Sequence, residues 1–120
     1  MKLVITSDWH GDWSTLGHRR HEEVCEAVAQ SVELAIAEQA DAYLCLGDIS
    51  DPDTGGDSYR TVALALRTAL ALRGEGIRSI WVAGNHDVCE DGTGASTMTP
   101  LRALEDAFPG DVFVATSPCI

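Results

Sequence analysis

Ile77-Arg78-Ser79-Ile80-Trp81-Val82-Ala83-Gly84-Asn85-His86-Asp87 is an apolar run rich in β-branched and aromatic residues that breaks without a spacer into a glycine and three polar side chains. The run predicts a β-strand over 77–83, with the polar segment hanging from its C-terminal end. The same pattern occurs twice upstream. Lys2–Thr6 leads into Ser7-Asp8-Trp9-His10, and Ala42–Leu46 leads into Gly47-Asp48.

The stretches between these runs carry helical spacing. Val24, Val28, Val32, Ala35 and Ile36 form one stripe over 21–38, and Val62, Leu66, Ala69 and Leu70 give a broader apolar face over 58–73, closed by Gly74 and Gly76. Downstream, Thr99-Pro100 predicts an N-cap and first helical position for a helix reaching Phe108, where Pro109-Gly110 stops it. Asp111–Ala115 is the fourth predicted strand. Strands alternating with helices need crossover connections, so the expected fold class is α/β, a βαβαβαβ mostly parallel sheet with flanking helices.

A parallel sheet brings all its strand C-termini to one edge, where ligands of open α/β sheets bind. The three polar segments therefore converge there. Strand alternation would aim Asp8 and His10 to one side and Trp9 to the other, into the packing. Singly, each residue has an ordinary structural use: Asp8 or Asp48 as a backbone cap, Asn85 in a left-handed turn, His86 on the surface. Their joint arrival at three strand ends is what carries a functional reading.

Together, Asp8-Trp9-His10, Gly47-Asp48 and Gly84-Asn85-His86-Asp87 resemble the first three blocks of the calcineurin-like metallophosphoesterase family, D-x-H, G-D and G-N-H-D/E, in order. The context Thr6-Ser7-Asp8-Trp9-His10 and the block spacing are similar to the DNA-repair exonuclease branch. The resemblance implies that Asp8 and His10 bind one metal, that Asp48 bridges two, and that Asn85 binds the second. It also places His86 near the leaving group, with Asp87 expected to hold the His86 ring. The implied cofactors are two divalent ions, manganese first, iron or zinc as alternatives. A mixture of carboxylate, imidazole and amide donors suits such ions, and a bridging aspartate can hold them about 3.5–4 Å apart. The implied activity is hydrolysis of a phosphoester, a phosphodiester in the first instance, by metal-activated hydroxide.

The sequence also departs from the family pattern. No histidine follows His86, whereas the pattern ends with an isolated histidine and a G-H-x-H segment, so the second metal is the poorer one in donors. His18 and His21, the only other imidazoles, lie in the loop and first turn leading into the first predicted helix and are expected to be solvated there. The resemblance runs along nearly all 120 residues but answers to only about half of the family's two-sheet sandwich. Residues 1–120 are thus expected to be a single domain cut short at its C-terminus, with one sheet face poorly covered. Such a face favours a homo-oligomer or a complementing chain as partner. Two alternatives to an enzyme follow: a non-catalytic remnant that binds one metal or a partner, and a nuclease-complex subunit whose activity depends on that partner.

A net charge of −11 with one lysine gives no general basic grip on nucleic acid, and a small phosphodiester or nucleotide is the expected substrate. Cys25, Cys45, Cys89 and Cys119 show no metal-site spacing, and no run approaches the roughly 18 residues of a membrane span, so a cytoplasmic, membrane-free location is expected. Cys89, near the His86 loop, is a weaker ligand candidate. The acidic stretch 51–57 lacks the glutamate that an EF-hand needs at its twelfth position and is expected to be a solvated rim loop.

Overall fold

The computed structural model describes residues 1–51, 56–89, 93 and 95–116. The acidic residues 52–55 of the rim loop, and Cys119 with the rest of the C-terminal residues 117–120, lie outside the described residues. Four strands form one parallel sheet: β1 (Leu3–Thr6), β4 (Ala42–Cys45), β5 (Arg78–Val82) and β6 (Val112–Ala115), in that spatial order. Helices α1 (His21–Ala37), α2 (Gly56–Gly74) and α3 (Leu101–Ala107) provide the crossovers. The expected α/β architecture is what the chain adopts.

Two local boundaries differ from expectation. The cap of α3 is Pro100 rather than Thr99, because the Thr99 hydroxyl instead accepts from the Ser96 amide in the preceding turn. A small hairpin, β2 (Ser14–Thr15) with β3 (His18–Arg19), has no counterpart in the sequence reading. Its turn residues, Leu16 and Gly17, have φ of 50° and 82°, the paired positive values that match a two-residue turn to strand twist. Two-residue strands carry no periodicity to read.

Because neighbouring strands in space are also sequential, every crossover has the same sense. A right-handed connection then puts each helix on one side. Register aligns Tyr43 with Ser79 and Val112, and Cys45 with Trp81. These five side chains are buried beneath the helices. α1 packs on β1 and α2, α2 on β5, and α3 on β6. Trp81 is the hub, edge-on to Trp9 at 5.6 Å and tilted against Tyr43 at 6.3 Å, while its indole N–H donates to Ser79 Oγ at 2.9 Å. The Tyr43 hydroxyl lies 2.8 Å from Ser31 Oγ on α1, so the buried polar atoms of this layer are partnered.

Among the described residues no helix covers the opposite face. Ile5, Leu44, Ile80 and Phe113 lie in one register row across all four strands. Leu3, Ile5 and Phe113 remain 45%, 56% and 42% exposed. Among the described residues this face is partly exposed, and the direct cause is topological, since the crossovers carry their helices to the other side. Among the described residues no helix is long and apolar enough to cross a membrane.

Candidate metal centre

Three loops follow the C-terminal ends of β1, β4 and β5, and the middle one is held from both sides. Its carbonyls accept from the first loop: Asp8 N–H to Gly47 O at 2.9 Å, His10 N–H to Asp48 O at 3.0 Å and Gly11 N–H to Ile49 O at 3.0 Å. Its amides donate to the Asp87 carboxylate of the third loop. Asp48 N–H reaches Oδ2 at 2.6 Å, and Ile49 and Ser50 N–H reach Oδ1 at 2.9 and 3.2 Å. Gly84 N–H adds a bond to Oδ2 at 2.8 Å, and the Thr97 hydroxyl adds one to Oδ1 at 3.0 Å.

Asp87 is fully buried, and these five donors are what make a carboxylate tolerable there. They also correct the expected role. The carboxylate holds loop amides and Thr97, and the His86 ring is not among its partners. Asp12, a residue the sequence reading passed over, does similar work at the rim, accepting from Asp51 N–H at 2.6 Å.

The glycines of the second and third blocks have a steric reason. A Cβ on Gly47, whose φ is +98°, would sit 2.2 Å from Gly84 N, and a Cβ on Gly84 would sit 2.1 Å from Asp48 Oδ1. Two backbones therefore cross at a distance that only glycine allows.

On this scaffold Asp8, His10 and Asp48 converge, one ligand atom of each lying within 4.8 Å of the others. The convergence does not come from strand alternation, which ends with β1 at Thr6. Asp8, His10 and Asp48 all adopt left-handed backbone, with φ of 55°, 43° and 53°. Such conformations cost about 1–2 kcal/mol each for residues bearing a Cβ, although aspartate and histidine visit them more readily than most. The loop hydrogen bonds above hold all three there. Strain concentrated on converging polar residues is a mark of a functional site.

Asp8 is exposed and its Oδ1 lies 3.7 Å from His10 Nε2, while its Oδ2 accepts from Ser7 Oγ. Asp48 Oδ1 accepts from the His86 amide at 2.9 Å, which ties the third loop to the cluster. The His86 ring stands 5.3 Å from the His10 ring, nearly perpendicular to it. Asn85 opens a one-turn 3-10 helix, Asn85–Asp87, and is exposed at the same rim. Two carboxylates and one imidazole, clustered with Asp8 exposed and His10 and Asp48 half-buried, are a donor set that fits a hard or borderline divalent cation with positions left open.

A model of the calcineurin-like phosphoesterase family matches residues 1–116. The chain belongs to the calcineurin-like phosphoesterases. A similar protein is one of the subunits of the nuclease SbcCD from Rhodobacter capsulatus, 31% identical over 88 residues, which are 72% of this chain and 22% of that protein. The chain thus spans well under a third of the length of the curated relative it matches. Family and relative agree with the likeness to the exonuclease branch, and the family's chemistry is phosphoester hydrolysis with divalent metals.

The remaining candidates of this chain fall elsewhere. His18 pairs with Glu23 at 3.0 Å on the surface, and with Arg20 at 2.6 Å it holds the Glu23 carboxyl below its ordinary range, Arg20 being the larger cause. His21 lies outside the Asp8, His10 and Asp48 cluster; its Nδ1 lies 3.1 Å from Gly11 O and its Nε2 lies 3.4 Å from Cys25 Sγ. Burial pushes the Cys45 thiol up to about 12, the state of a packing residue rather than a ligand. Cys89 lies outside the Asp8, His10 and Asp48 cluster.

Proposed function

We propose that this chain carries the first half of a two-metal site for hydrolysis of a phosphodiester. The observation that carries the reading is the convergence of Asp8, His10 and Asp48 within 4.8 Å, beside His86. In this reading Asp8, His10 and Asp48 hold one divalent ion, manganese first, and Asp48 with Asn85 contributes to a second. Bound ions of this kind supply Lewis acidity, lowering the pKa of water and neutralising charge on the phosphoryl oxygens.

The chain's own residues do the rest. Asp87 is a positioning residue that fixes the amides of 48–50 and so the aim of the Asp48 carboxylate. His86 stands across from His10, free to give a proton from its ring to the departing alkoxide oxygen, a step worth about 10²–10⁴ in rate. The product is a phosphomonoester and an alcohol. The net charge of −11 supports a small phosphodiester or nucleotide over a nucleic-acid duplex.

The test is manganese-dependent hydrolysis of bis-p-nitrophenyl phosphate by the purified chain beside Asp48→Asn, with a thermal midpoint measured at each manganese concentration. Manganese should raise the midpoint of the parent chain and not of the variant. Turnover should follow the same pattern. Equal midpoints in both would remove the metal-site reading altogether.

A second reading rests on the bare row of Ile5, Leu44, Ile80 and Phe113. Here the chain works as part of a nuclease complex or as a homo-oligomer, with a complementing segment covering that face and completing the second metal's donors. Binding without turnover, together with a shift to larger species on sedimentation, would favour it.

A further inference from the structure

Trp13 differs from the other two tryptophans. Trp9 and Trp81 are 7% and 0% exposed in the core, whereas Trp13 is 57% exposed. Its backbone is nonetheless held on both sides. Trp13 N–H donates to His10 O at 2.9 Å, and Trp13 O accepts from Arg20 N–H at 3.1 Å where the β2–β3 hairpin closes. The loop from His10 to Arg20 therefore fixes the backbone that carries the indole, whose ring lies 6.1 Å from that of His10 and is inclined at 66°.

The indole faces a use. It lines an open cleft of about 870 Å³ that is also lined by Asp8, His10 and His86 and by Val24 and Val28 of α1. A flat aromatic surface and a cluster of phosphate-directed donors thus share one cleft, separated by a single ring-to-ring step. Aromatic side chains hold nucleobases by stacking, which tolerates any base because each has a π face.

We propose that Trp13 is the platform on which the nucleobase of a nucleotidyl phosphoester stacks, which makes nucleotides and nucleotidyl esters the substrate class. The proposal rests on the phosphoesterase reading and adds the recognition of the leaving or retained nucleoside. The indole contributes affinity for the base, while the Asp8, His10 and Asp48 cluster contributes affinity for phosphate through its bound ions.

The experiment compares adenosine monophosphate with ribose 5-phosphate, which shares its phosphate and sugar, as ligands of the manganese-loaded chain. Binding is read by calorimetry and by quenching of tryptophan emission. The expected result is about tenfold tighter binding of the nucleotide. Quenching should be confined to the red-shifted emission of the exposed indole. Trp13→Leu should abolish that difference and leave ribose 5-phosphate binding unchanged, and Trp13→Phe should keep most of it. Far-UV circular dichroism checks that both variants fold, as expected for an exposed position. Equal affinities for the two ligands in the parent chain would overturn the stacking role while leaving the phosphoesterase reading intact. A nucleotide preference that survives Trp13→Leu would do the same. Binding of neither ligand would overturn both.

Discussion

Two sets of carboxylates share the C-terminal rim of the sheet, and their environments are opposite. Asp87 is fully buried and accepts from four loop amides and one hydroxyl. Asp8 is exposed and Asp48 half-buried on the same loops, both in left-handed backbone, and they cluster with His10. The inner group spends its acceptor capacity on the fold, and the outer cluster keeps much of its capacity open toward the cleft. The contrast shows how a small rim separates rigidity from chemistry: a charge that is fully hydrogen-bonded internally organises the backbone, and that backbone holds other charges in conformations they would not choose alone.

The strongest way to break this comparison is to remove the inner carboxylate. Asp87→Ala leaves the amides of 48–50 and 84 without an acceptor in a buried setting, and urea unfolding should show a loss of about 3–5 kcal/mol. If stability fell by less than 1 kcal/mol, the loops would not depend on Asp87. Next comes the backbone crossing. Gly84→Ala places a methyl 2.1 Å from Asp48 Oδ1 and should cost about 1–3 kcal/mol while also lowering metal affinity, since the clash falls on the outer cluster.

The outer cluster should respond in the opposite way. Asp8→Asn should change the unfolding free energy by under about 1 kcal/mol, because the side chain is exposed and its backbone bond to Gly47 is retained, yet it should weaken manganese binding at least tenfold by calorimetry. His86→Gln sharpens the role of the imidazole. It should slow hydrolysis of a methyl ester by about 100-fold and of a p-nitrophenyl ester much less, because a good leaving group needs little protonation. Equal losses on both esters would assign His86 to binding instead.

The smallest effect concerns pH. Arg20 and His18 hold the Glu23 carboxyl below its ordinary value, so the ionised form is favoured in the folded chain. Its contribution is present above the unfolded pKa and lost as pH falls through the lower folded one. An NMR titration should show a depressed Glu23 midpoint that returns toward normal in Arg20→Gln, with little change in overall stability, as for any exposed pair.

Much of this architecture was legible in the residues. The runs 77–83, 42–46 and 111–115 each contain a strand, and the stripe of Val24, Val28 and Val32 lies on a real helix, α1. A core strand or amphipathic helix imposes periodicity over enough residues to be read. The hairpin at 14–19 was not legible, because two-residue strands impose none. The candidate centre was visible as residue types at strand ends, yet the route by which Asp8 and His10 meet was misread. They converge through positive φ, which residue identity alone hints at only weakly.

The sequence by itself determined that Asp8, His10, Asp48, Asn85 and His86 follow strands and that the chain is a calcineurin-like phosphoesterase, since apolar periodicity and short polar motifs are local properties. Only the tertiary structure decided that Asp87 serves the loops, that Gly47 and Gly84 are forced by a backbone crossing, that Trp13 faces the cleft, and that all three helices lie on one side of the sheet. Each of these depends on residues distant in sequence meeting in space: 39 positions separate Asp48 from Asp87 in the bond that joins their loops. Non-local hydrogen bonding and the handedness of crossovers act only once the chain has folded, and they turn a series of strand ends into one site.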